Sequence, residues 1–583
     1  MTAVERVRAA YRAIADVGRP EVWIHLRPEA DVVAEAAAVD ARVAAGERLP
    51  LAGLAAAVKN NVDVAGLPTT AGCPSYAAGP AAEDAPVVSR LRAAGAVVLG
   101  TTNLDQFATG LVGTRSPYGA VRDARRPDRI SGGSSSGSAV AVALGLVDVA
   151  VGTDTAGSGR VPAALQGLVG IKPTVGVVPT AGVVPACRSY DCVTVFARDV
   201  DTADAAMAQM AGGARPWPPA TQLAARPRAR VAVPRELPGL SPSWQAAFGA
   251  AVERLAATGA EIEAIGLAPF LAAARLLYDG GLVAERHAAV GAFVDAHADE
   301  VDPTVGAIIG AAGSVGATRL LHDRERLAEL TAAALARLEG FDALLVPTTT
   351  EHPTLAEVAA DPVGVNSRLG TYTNFCNLMD LCAVAVPSGT VRDDDGGGSC
   401  FGVSVIARAG GDALALDLAR LVQLDPPAVA RPGAAEVPPG PGLPWPLRAG
   451  AATTRLFVVG AHLRGQPLEH ELDDRGARWL GPATTAPAYR LARLRTVPAK
   501  PGLARVGPAD GVAVGGQLWL VGTAQLGDFL AALPAPMYLG RVELSDGSSA
   551  VGFGCSPEAW AAGTDISEHG DWPTAQRRHL VDA

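Results

Sequence analysis

Lysine is nearly missing from this chain of 583 residues: only three of its 49 basic residues are lysines, at positions 59, 172 and 500. Lysine differs from arginine in that burial can strip its proton, whereas guanidinium stays charged. A composition that writes arginine almost everywhere therefore singles out the lysines it keeps. Lys500, in a Pro-Ala-Lys-Pro loop, reads as a chance survivor, and Lys172, in Gly-Ile-Lys-Pro, as structural. Cysteine is sparse too. The seven cysteines (73, 187, 192, 376, 382, 400 and 555) are odd in number and lack CxxC spacing, which excludes a disulfide framework and a zinc site. No apolar run approaches a membrane span; the longest, residues 139–147, is far too short. The first six residues carry charge where a signal peptide has an apolar stretch, so a cytoplasmic chain without a membrane partner is expected. The formal net charge of −10, with no clustered basic residues, speaks against nucleic acid. It leaves room for an anionic substrate, since one buried arginine dominates a pocket.

With 49% hydrophobic and 19% charged residues the chain is globular, and its length suits two to four domains. Alanine-rich segments at 2–17 and 29–46 have helical spacing, as do 245–258, 268–278 and 316–338. Short apolar runs at 94–99, 147–152 and 341–347 read as buried strands, which together predict an α/β layered architecture. Proline density over 425–453 fits neither helix nor inner strand. Beyond it, 455–459 and 517–521 read as strands and 540–552 as a hairpin about Asp546-Gly547, giving a small α+β domain. The expected organisation is a main domain with amino-terminal helices (1–430), a Pro-rich linker (431–453), a second domain (454–568) and a polar tail (569–583).

The chemistry concentrates in two loops. Residues 131–138 read Ser-Gly-Gly-Ser-Ser-Ser-Gly-Ser, and 152–160 read Gly-Thr-Asp-Thr-Ala-Gly-Ser-Gly-Arg. Glycines let successive backbone N–H groups converge, which an acyl-transfer enzyme needs for the oxyanion of its tetrahedral intermediate. A plain Gly/Ser tether is disfavoured by the dense apolar segment between the loops. Residues 133–137 also fit a G-x-S-x-G elbow with Ser135 as nucleophile, but that motif needs a core strand before it, and 122–129 is polar and contains a proline. No histidine lies between His25 and His287. A neutral lysine beside serines activates a hydroxyl without histidine.

Lys59, the Gly-Gly-Ser-Ser-Ser-Gly loop and Gly-Thr-Asp-Thr-Ala-Gly-Ser resemble the amidase signature family. The resemblance implies a mixed central sheet covered by helices and a Ser–cis-Ser–Lys triad: Ser158 as nucleophile, Ser134 on a cis peptide bond as proton relay, Lys59 as base. It places the oxyanion hole on the N–H groups of Thr155, Ala156, Gly157 and Ser158. Most of the family has a second glycine where this chain has Ala156, which narrows the subfamily. Residues 105–119, 155–162 and 184–189, and beyond the linker 457–463 and 485–489, are similar to the allophanate hydrolases. That likeness implies hydrolysis of allophanate (urea-1-carboxylate), with no cofactor and no metal, in urea degradation. It implies a small anionic substrate gripped by Arg286 with Tyr278, and a weaker backbone contact from Gly110. Eight residues is about two helical turns, so Tyr278 and Arg286 are expected to face one pocket from one helix. The carboxy-terminal domain resembles the γ-glutamyl-cyclotransferase fold. It is either a second catalytic unit that speeds decarboxylation of the first product, with His462 a candidate, or a packing module. A homodimer is expected. None of the methionines neighbours a lysine, so no biotin-attachment motif is present, and a urea carboxylase is expected as a separate protein. The alternatives are an amidase of other small amides, a tRNA-dependent amidotransferase subunit, and a non-catalytic binding scaffold.

Overall fold

The computed structural model describes residues 1–213, 215–219, 221–393, 396–424 and 442–578. They divide into two compact units, Met1–Pro216 with Arg228–Ala449, and Trp217–Pro227 with Gly450–Ala583.

The first unit is built on eleven strands: β1 (Trp23–Leu26), β2 (Ala55–Lys59), β3 (Val97–Thr102), β4 (Val149–Asp154), β5 (Val169–Lys172), β6 (Cys192–Ala197), β7 (Arg230–Pro234), β8 (Glu261–Ile265), β9 (Ala343–Pro347), β10 (Cys382–Arg392) and β11 (Gly398–Ala407). They form one mixed sheet in the order β1-β3-β2-β4-β6-β5-β10-β11-β9-β7-β8. The trio β3, β2 and β4 is parallel, as are β9, β7 and β8. Strands covered on both faces read as continuous apolar runs, and every residue of β2, β3, β4 and β6 is buried. Helices Ala3–Val17 and Glu29–Ala44 pack on this core through Val7, Ala10, Val32 and Ala36. Thr2 and Glu5 cap the first of them reciprocally, and the Asp40 carboxylate accepts from the N–H groups of Ala3 and Val4. The helix-like segments near 245–258, 268–278 and 316–338 correspond to helices Pro242–Ala257, Ala268–Leu276 and Ala317–Arg337.

The second unit contains β12 (Thr453–Val458), β13 (Arg478–Thr484), β14 (Tyr489–Arg493), β15 (Pro501–Arg505), β16 (Gly515–Gly522), β17 (Met537–Glu543), β18 (Ser549–Cys555) and β19 (Thr564–Asp565). They form a five-stranded sheet, β13-β16-β12-β18-β17, and a three-stranded one, β15-β14-β19. The hairpin about Asp546-Gly547 joins β17 to β18.

Two boundaries differ from expectation. The polar tail (569–583) begins too early: Trp572 and Ala575 lie on helix Trp572–Arg577 and are buried in the apolar core of the second unit. The expected linker (431–453) falls partly on residues 425–441, outside those described, and its described part is not a free spacer. Trp445 there starts a short helix and is fully buried in the first unit, its N–H donating to Asp204 (2.6 Å). A single large apolar side chain outweighs the surrounding prolines. Residues 217–227, which sequence placed in the main domain, pack in the second unit, where Leu223 is buried and its N–H donates to the Gly476 carbonyl (2.9 Å).

Candidate active site

β2, β3 and β4 run parallel, so their carboxyl ends open on one side of the sheet, the usual place for a site in such folds. β2 ends in Lys59 and β4 in Asp154. Both serine-rich loops meet there. The Gly133–Ser134 peptide bond is cis. Lys59 is fully buried, and its Nζ lies 2.8 Å from Ser134 Oγ and 2.7 Å from Thr153 Oγ1. Burial pulls the Lys59 amine down to about 7, against the pull of Asp105, Asp154 and Asp191 and with help from the positive charge of Arg286. The amine is thus poised near neutrality between two hydroxyls.

Ser158 stands in the loop that follows β4 and keeps 4% of its exposure. Its hydroxyl takes part in no hydrogen bond among the described residues. Asp154 organises this loop. Its carboxylate accepts from the N–H groups of Gly157 (2.9 Å) and Gly159 (3.0 Å) and forms a bidentate pair with Arg160, both contacts at 2.9 Å. Burial alone would raise the Asp154 carboxyl, but the Arg160 guanidinium holds it below its ordinary value. Arg160 also donates to the Thr373 carbonyl and Asn377 Oδ1, so the loop is braced from the far end of the chain. Gly157 has φ +132°, and a Cβ there would meet Thr373 Oγ1 at 2.3 Å. This corrects one expectation. The Gly157 N–H is committed to Asp154, whereas those of Thr155, Ala156 and Ser158 have no acceptor among the described residues.

Arg286 is 1% exposed and pairs with no carboxylate among the described residues. Its Nη1 donates to Thr109 Oγ1 (2.9 Å) and its Nη2 to Tyr278 Oη (3.2 Å), while its guanidinium carbon sits 5.2 Å from the centre of the Tyr278 ring. The two residues are not on one helix. Helix Ala268–Leu276 stops before Tyr278, a turn at Gly281–Val283 intervenes, and Arg286 belongs to helix Ala284–Ala296. Asp323 fixes the break by accepting from the Gly281 N–H (2.6 Å), and a side chain at 281 would strike the backbone of Leu320. Gly110 follows Thr109; a Cβ there would meet Asp105 Oδ2 at 2.7 Å, and its own N–H and C=O carry no hydrogen bond among the described residues.

Several residues of the site escaped the sequence reading: Thr153 against Lys59, Asn61 beside Thr153, Thr109 under Arg286, and Asp191. The Asp191 carboxylate accepts from Thr155 Oγ1 and the N–H groups of Ala186 and Cys187, and burial pushes it above its ordinary range. Ser135, the nucleophile of the elbow reading, instead has its hydroxyl turned to the backbone of Thr153. Lys172 is buried with its amine on the carbonyls of Pro173 and Leu381. Among the described residues, no cluster of His, Cys, Asp or Glu could hold a metal ion.

In the second unit, His462 lies at a separate cavity of about 730 Å³, with Glu471, Lys500, Phe529, Phe553 and Met537 also in its wall. His462 Nε2 pairs with Glu471 (3.0 Å), its ring stacks on Phe553, and burial lowers its pKa despite the carboxylate. Lys500, set aside on sequence, belongs to this wall.

The amidase family profile matches residues 5–416, and the profile of the allophanate hydrolase C-terminal domain matches 454–577. The chain is 40% identical over 544 residues to urea amidolyase of Saccharomyces cerevisiae, covering 90% of this chain but only 29% of that protein's length. It is 32% identical over 464 residues, 72% of this chain and 95% of the relative, to a glutamyl-tRNA(Gln) amidotransferase subunit of Koribacter versatilis. The solved structure of an allophanate hydrolase from Kluyveromyces lactis superimposes with a TM-score of 0.86 at 38% identity, covering 100% of this chain and 97% of that one. The chain belongs to the amidase family and to its allophanate hydrolase branch.

Proposed function

We propose that this enzyme hydrolyses allophanate through a Ser158–Ser134–Lys59 triad and an acyl-enzyme. Neutral Lys59 takes the Ser134 proton while Ser134 takes that of Ser158, whose oxygen attacks the terminal amide carbon. The N–H groups of Thr155, Ala156 and Ser158 receive the oxyanion, and the returning proton leaves with ammonia. Water then cleaves the acyl-enzyme by the same relay, releasing N-carboxycarbamate, which loses carbon dioxide. One allophanate ends as two ammonia and two carbon dioxide.

The observation that carries the choice of substrate is Arg286: buried, without a carboxylate among the described residues, and close enough for its charge to act on Lys59. A small anion offers little surface to bury, and a desolvated guanidinium recognises its carboxylate strongly. A neutral amide would leave that charge uncompensated. The test is ammonia release by the purified chain from allophanate and from acetamide. Allophanate should be strongly preferred, Ser158→Ala should abolish turnover, and equal rates on both substrates would overturn the reading. A chain active on glutamine but not on allophanate would favour the amidotransferase-like alternative.

The cavity beside His462 favours a catalytic or product-handling second unit over a packing module. A urea carboxylase that makes allophanate is the functional partner in this reading, which also takes the enzyme as a cytoplasmic homodimer.

A further inference from the structure

The Thr153 hydroxyl poses a question of direction. Its oxygen lies 2.7 Å from Lys59 Nζ and accepts from Asn61 Nδ2 at 3.3 Å. The same Nδ2 reaches the Val184 carbonyl at 3.4 Å, so both amide contacts are long and weak. Asn61 is 2% exposed, and its Oδ1 makes no hydrogen bond among the described residues. A buried carbonyl left unpaired costs free energy, and such an atom calls for a donor.

A neutral amine has two N–H groups and one lone pair. With Asn61 donating to Thr153, the Thr153 proton has only one acceptor in reach among the described residues, the Lys59 lone pair. The amine then donates to Ser134, which is the wrong direction for a base. For Lys59 to take the Ser134 proton, Thr153 must accept from the amine and pass its own proton elsewhere. The orphaned Oδ1 stands on the very amide that touches Thr153. The two ends of an amide are nearly equal in size, so a half-turn exchanges them with little need for room, at the cost of the long Nδ2 contact to the Val184 carbonyl.

We propose that Asn61 is a positioning residue that sets the direction of this hydrogen-bond chain: with its amide turned, Oδ1 accepts the Thr153 proton, Thr153 accepts from Lys59, and the amine's lone pair faces Ser134. The inference rests on the triad reading above and adds to it the group that orients its base.

A double-mutant cycle in the full chain tests this. Asn61→Leu and Thr153→Val should each lower kcat on allophanate by roughly 10²-fold, the lower end of what positioned proton transfer contributes, at nearly unchanged KM. The double variant should be little worse than the worse single, because both remove one relay. Asn61→Asp keeps acceptor oxygens at the same place. It should retain most of kcat while its carboxylate, favouring the protonated amine, moves the acid limb of the pH profile upward. Additive losses, or a leucine variant with unchanged kcat, would overturn the proposal. If the leucine variant does not fold, the aspartate variant decides: a loss as deep as that of Lys59→Ala shows that the Nδ2 donor is what counts, and sinks it. Activity that survives Lys59→Ala would remove the triad reading itself, whereas additivity in an enzyme that needs Lys59 removes only the role of Asn61.

Discussion

Lys59 Nζ and Ser134 Oγ stand 2.8 Å apart where neither side chain reaches solvent. In water an amine would be protonated and useless as a base; here burial brings it to about 7. Under the proposed triad this contact joins a titration to a hydroxyl, and the pH dependence of turnover should report on this one residue.

Turnover should follow the neutral fraction of Lys59. Its pKa falls from 10.5 to about 7 in the fold, so the base is lost as pH drops through 7 and present above it. kcat/KM on allophanate should rise from pH 6 to 8 with an apparent pKa near 7. Lys59→Arg, which keeps the charge but cannot be deprotonated, should be inactive across the range. A flat profile between pH 6 and 8 would contradict this account.

Arg286→Ala should raise KM for allophanate by about 10²-fold, on the order of the 1.5–3 kcal/mol assigned to a charged hydrogen bond. Activity on acetamide should change far less. Arg286→Lys should rescue poorly, because an ammonium cannot hold Thr109, Tyr278 and a carboxylate in one plane. Steady-state kinetics on both substrates separates the effects.

The pair Asp154–Arg160 is wholly buried, so breaking it leaves an uncompensated charge. Arg160→Met should destabilise the first unit by roughly 3–5 kcal/mol and disorder the loop bearing Ser158. Denaturant midpoints together with ammonia release check both consequences. A variant of ordinary stability would show that the carboxylate's backbone donors suffice alone.

Trp572→Ala should cost the second unit about 3–5 kcal/mol, as for a large core side chain, although the residue lies in what reads as a polar tail. A change within 0.5 kcal/mol, the usual scale for a surface site, would return the residue to the surface.

Much of this was legible in the chain. Lys59 stood out because arginine crowds every other basic position but two, and Ser134 and Ser158 lie in short contiguous motifs. β3 and β4 announced themselves as the apolar runs at 94–99 and 147–152, because strands buried on both faces leave little room for polar residues, whereas the short β2 was not read as a strand. What was hidden depends on distant partners. The break between Tyr278 and Arg286 is anchored by Asp323, some forty residues on, so local spacing suggested one continuous helix. The commitment of the Gly157 N–H follows from the turn that Asp154 makes, not from the order of residues. Trp572 and Trp445 are isolated apolar residues among polar and proline-rich neighbours, too few to set a period.

The excursion of Trp217–Pro227 into the smaller unit bears on how the protein can be taken apart. Leu223 gives its carbonyl to the Arg478 side chain (2.7 Å) at the edge strand β13, and the Thr221 carbonyl takes the Gln525 amide (3.3 Å). An excised polypeptide beginning after the proline cluster would lack both acceptors and bare the socket that Leu223 fills. Severing the chain once does not separate the halves cleanly; the smaller one keeps its integrity only if a peptide from the middle of the larger travels with it.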